Sequence, residues 1–87
     1  MSGYPPFFDA HQRLQGEVRN WCIASLAIPD LDPERRARIL EIRAAVAGRM
    51  CETKPTDNVT CGINSRLARA ELAWLQEDPR VDMRDAL

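Results

Sequence analysis

The residues best equipped for chemistry in this chain are three cysteines, Cys22, Cys51 and Cys61, and its single histidine, His11. Two of the thiols bracket the stretch from Cys51 to Cys61, CETKPTDNVTC, which admits three chemistries at once. It can be a disulfide-closed loop, half of a metal site, or an N-glycosylation acceptor at Asn58-Val59-Thr60. A Cys3His set would suit structural zinc. However, His11 and Cys22 lie on one expected helix, about 16 Å apart at 1.5 Å per residue, whereas ligands of one tetrahedral ion sit within about 4 Å of each other. No CxxC or HxxxH spacing occurs either. An odd thiol count cannot pair within one chain, and intracellular thiols are usually kept reduced.

Nucleophilic catalysis by a cysteine needs a base at hydrogen-bond distance and a third group to orient that base. Only His11 can be the base, and no spacing places a thiol beside it; its position between Leu14 and Val18 on the helical wheel reads as a core-edge imidazole. The acidic pairs Asp30/Asp32 and Asp82/Asp85 fall in turns or in the tail, where carboxylates cap helices or stay solvated. There is no glycine-rich phosphate loop and no Ser–His–Asp order. The reading therefore expects no catalytic residue, no metal, no cofactor and no enzyme activity.

The elements that must position these residues are set by the prolines. Pro5-Pro6, Pro29, Pro33, Pro55 and Pro79 cut the chain into three helical segments and a tail. The first segment spans about 7–28, with Phe7, Leu14, Val18, Trp21, Cys22 and Ser25 on one face by their spacings of three, four and seven. The second spans 33–50: Asp32 caps it, Pro33 opens it, and Ile39, Ile42, Val46 and Met50 form its stripe. The third spans about 57–77, capped by Thr56 or Asp57, with Val59, Ile63, Leu67, Ala70 and Trp74 as its expected core stripe. Residues 78–87 form a short C-terminal tail. The predicted fold is all-α, a single-domain three-helix up-down-up bundle over 1–87, and Cys51 to Cys61 is then a helix end, a turn and the start of the next helix.

Composition narrows the class of partner. Net charge is −1, so no bulk field draws the chain to nucleic acid or anionic lipid. Eleven of the twelve basic residues are Arg, with Lys54 the exception, but acids are interleaved throughout. That bias suits a GC-rich bacterial or phage genome. The apolar run Trp21 to Ile28 is far short of the roughly 20 residues of a membrane span, and the amino-terminal stretch lacks the pattern of a secretory leader. A cytoplasmic protein with no membrane contact is expected.

Residues that break the pattern point to function. Arg43 and Glu71 fall among apolar positions of the second and third helices, as snorkelling side chains or as a pair with each other or a partner. Ile23 with Ala27, and Ala68 with Leu72, lie opposite the expected core stripes, and three helices cannot bury two faces of each without a neighbour. The expected function is a non-catalytic protein-interaction domain, an adaptor, regulator or inhibitor, joined to a partner or to itself as a homodimer. The alternative is a helix-turn-helix nucleic-acid binder using Asn58, Thr60, Asn64, Arg66 and Arg69, since Asn and Arg read adenine and guanine edges from the start of a recognition helix.

Overall fold

A computed structural model describes residues 5–87. Residues 1–4, the first part of the amino-terminal stretch read above as lacking a leader, lie outside them. The described chain folds into α1 (Pro6–Leu26), α2 (Pro33–Glu52), α3 (Asn58–Gln76) and a 3-10 turn, η1 (Met83–Ala86), with no strand among the described residues. Each boundary falls within two residues of the position read from the sequence.

The caps explain why the helices start where they do. Asp32 accepts a hydrogen bond from the Arg35 amide at 3.1 Å, with Pro33 as the first helical residue. Asp57 does the same for α3: it accepts from the Thr60 amide at 2.9 Å and from the Thr60 hydroxyl at 2.6 Å. The last α3 carbonyls need a donor, and Arg35 supplies one to the Trp74 carbonyl at 3.2 Å while its guanidinium lies 4.0 Å over the Trp74 ring. Asp78-Pro79 then stops the helix.

Contacts fix the up-down-up order. The start of α1 meets the end of α2 through Gln12 and the Met50 carbonyl, and it meets the start of α3 through Gln15 and the Asn64 carbonyl. Helix α1 is central: it packs extensively on both α2 and α3, which touch each other little. The tail is not loose, because η1 folds back on α1.

The core contains Val18, Cys22, Ile39, Ile42, Val46, Ala68 and Leu75, with Leu14, Trp21, Leu31, Met50, Leu72 and Trp74 packed around it. The α2 stripe is the one the spacing predicts. The phase of α3 is not. Val59, Ile63 and Leu67 are 74%, 53% and 49% exposed, while Cys61, Ala68 and Leu75 are buried. The inward face is rotated by about 140° from the expected one at about 100° per residue. On α1 the shift is smaller: Val18, Cys22 and Ser25 are buried as expected, Phe7 is exposed, and His11 and Gln15 are fully buried.

The physical reason lies in what the inward faces carry. Small residues at Cys61 and Ala68 let α3 approach α1 closely, and the polar groups that enter with them are paired. Arg49 donates to Gln15 Oε1 at 3.0 Å and forks onto Glu71, with Nη1 to Oε2 at 3.3 Å and Nη2 to Oε1. Gln15 donates to the Asn64 carbonyl at 3.1 Å, and the Asn64 amide donates to Thr53 Oγ1 at 2.9 Å. A polar face whose members satisfy one another can be buried.

Candidate functional site

All three cysteines are free; Cys22 and Cys61 are buried and Cys51 is exposed. Burial pushes the Cys22 thiol up to about 11, with the Glu71 carboxylate adding to the shift, so it is a poor nucleophile near neutral pH. Cys61 shifts in the same direction for the same reason. His11 stacks on Phe8 with ring centroids 6.1 Å apart, and its Nδ1 donates to Gln12 Oε1 at 3.0 Å. Its Nε2 is buried without a hydrogen-bond partner. Among the described residues no group of three or more His, Cys, Asp or Glu side chains is placed to hold a metal ion.

Several interface residues expected from the sequence are elsewhere. Ala68 is fully buried and Leu72 is packed against the core, so neither lies on an outer face. Ile23 is half-buried, and only Ala27 of that group is exposed. Arg43 is exposed and Glu71 pairs with Arg49 instead, one helical turn and a half farther along α2. Of the alternatives read from the sequence, an Arg43–Glu71 pair is therefore not formed: Arg43 is an exposed side chain of α2, and Arg49 is the α2 residue that holds Glu71.

The nucleic-acid residues are divided in the same way. Arg66, Arg69 and Asn58 are exposed. The side chains of Thr60 and Asn64 are engaged inside the fold, with Asp57 and Thr53 respectively. Arg69 shares a shallow groove with Arg13, Asp9 and Glu17, so the two carboxylates there offset the two cations of a phosphate-binding field.

What the structure does leave open is most of the stripe that the sequence placed in the core: Val59, Ile63, Leu67 and Ala70 are exposed, while Trp74 packs against the core as expected. Val59, Ile63, Leu67, Ala70 and Trp74 run along one face of α3 for about 22 Å at about 1.5 Å per residue, with no charged residue inside the row. Because α2 and α3 touch little, this face opens onto a hollow of about 270 Å³ lined by Arg38, Ile42, Leu67, Ala70, Glu71 and Trp74. Of its lining residues Ile42 is buried, and Ala70 and Leu67 are exposed. The rims are polar: Arg38 pairs with Glu41 at 3.3 Å on α2, and Arg35 holds the Trp74 ring from the end.

The signal that identifies this surface was present in the sequence as a second apolar face on α3. Deciding which of the two faces turns inward required the partners of Glu71 and Asn64. No protein-family model, no curated protein and no solved structure matches the chain. No helix among the described residues is long and apolar enough to cross a membrane.

Proposed function

We propose that this chain is a small protein-interaction domain that works by presenting the α3 stripe and the α2–α3 hollow to a protein partner. The observation that supports it is a continuous row of uncharged side chains on a folded helix, three of them about half exposed or more. Contiguous apolar patches of more than a few hundred Å² are rare on monomeric proteins and mark interaction sites. An apolar hollow with polar rims has the anatomy of an interface, in which the central contacts exclude water and the edges stay wet. A free, exposed Cys51 suits a reducing cytoplasmic setting.

The test is a photo-crosslinking residue placed at Ile63, compared with the same residue at Arg36, which is exposed on α2. A crosslinked protein product formed only from position 63 is expected. Equal labelling from both positions, or retention on heparin that falls steeply with salt, would overturn the reading and favour nucleic acid.

A further inference from the structure

We infer that the end of the bundle at which α1 begins is an acid-operated latch: a proton on the buried His11 ring releases the first two turns of α1 from α2 and from the start of α3, while the core beyond them stays folded. The inference is independent of the interaction reading above, since it concerns how that end of the fold is held shut.

The ring is locked in one form. His11 is fully buried. Gln12 donates through Nε2 to the Met50 carbonyl at 3.4 Å, which leaves its Oε1 to face the imidazole Nδ1. An amide oxygen only accepts, so the neutral ring carries its proton on Nδ1. A second proton has to go to Nε2, which is buried with no hydrogen-bond partner. The imidazolium would thus be a buried cation with an unpaired buried donor, and both features disfavour it inside the fold.

The surrounding charges do not help. On α2 the charge that acts on the ring is the Arg49 guanidinium, which has the same sign as an imidazolium. The carboxylates on the helices at this end are engaged or solvated: Glu71 is held by Arg49, Asp57 by Thr60 and Asp9 by Arg13, and Glu52 is exposed, as is Lys54. On α3 burial raises the Cys61 thiol, so it stays neutral in mild acid.

The latch is weak where it has to give. Helix α1 starts at Pro6 without a side-chain cap, whereas Asp32 and Asp57 cap α2 and α3. The core and the side chains packed around it include nothing before Leu14 on α1 or before Ala68 on α3. This end is held instead by Phe8, which stacks on His11 itself, and by the Gln12 hydrogen bond. A segment with so few apolar contacts opens at a lower free energy than the core.

Opening has a definite product. Phe7 and Ala10 line a hollow together with Cys61, whose side chain is buried. Lifting residues 6–12 from α3 bares that thiol, while Cys22, inside the core, stays covered.

Thiol kinetics of the full chain test this, with a pyridyl disulfide that reacts in acid as well as at neutral pH. The rate of each cysteine, assigned by mass spectrometry, is divided by its rate in the urea-denatured chain at the same pH. From about pH 7.5 to about pH 5.5 the normalised Cys61 rate should rise severalfold, with about tenfold as the limit set by an open-state imidazole of ordinary value 6.5. It should stay above the Cys22 rate throughout. His11→Gln, which has no titrating ring, should abolish the rise. A Cys61 rate that does not rise, a Cys22 rate that matches it in acid, or a rise that survives His11→Gln overturns the latch. If that variant does not fold, the His11 ring of the wild type is titrated by NMR. A folded-state value below 6.5, together with the Cys61 rise, supports the latch, and a value at or above 6.5 overturns it.

Discussion

The Arg49 guanidinium forks onto the Glu71 carboxylate between α2 and α3, with side chains only 12% and 11% exposed. The pair is anchored from α1 by Gln15, which accepts from Arg49 Nε at 3.0 Å. Three helices thus meet at one polar contact, although α2 and α3 share little apolar packing.

The first prediction concerns that contact. Removing one member leaves the other charge buried without its partner, which costs roughly 3–5 kcal/mol. Glu71→Ala and Arg49→Ala should each destabilise by that order in urea unfolding, and the double variant should cost markedly less than their sum. Additive losses would show that the two side chains do not act as a pair.

How much of this was legible follows from the same residues. The caps at Asp32 and Asp57, the proline boundaries and the α2 stripe could be read directly, because each depends on local chemistry. The inward face of α3 could not, because it is specified by Asn64 and Glu71, which look like surface residues until Gln15, Arg49 and Thr53 arrive from other helices. Hydrophobic size alone selected Val59, Ile63 and Leu67 for the core. The exposed stripe was therefore taken for the core, and the Ala68–Leu72 side, which packs inside the fold, was taken for the outer face.

A second prediction concerns pH. Burial holds His11 below its ordinary value of 6.5; the hydrogen bond to Gln12 opposes the shift and the Arg49 charge adds to it. The folded state thus binds a proton on His11 less readily than the unfolded chain does, so the stability His11 contributes is full above pH 6.5. It declines as pH falls from there through the lowered folded value. Urea midpoints of the wild type should drop across that window, and those of His11→Gln should be flatter. Equal slopes would place the proton elsewhere. Asp78 and Asp82, held near 2 by hydrogen bonds from Arg80 and Arg84, titrate in a separate and more acidic range.

Thiol accessibility gives a third. Cys51 is exposed, whereas Cys22 and Cys61 are buried and their thiols are shifted upward. Titration with a chromogenic disulfide should find one fast group in the native protein and three after denaturation. Two or more fast groups in the native state would contradict the packing of α1 against α3.

The inward–outward assignment of α3 is tested most directly by equilibrium urea unfolding of Ile63→Asp beside Ala68→Asp, at a concentration low enough that self-association contributes little. Ile63 faces water and Ala68 is fully buried between helices. Ile63→Asp should shift stability by about 0.5 kcal/mol or less, as substitutions at exposed positions do. Ala68→Asp should lose several kcal/mol or fail to fold, because it buries a carboxylate with no partner. The reverse order, with Ile63→Asp unfolded and Ala68→Asp tolerated, would show that the stripe is the core and would remove the interaction surface from this account.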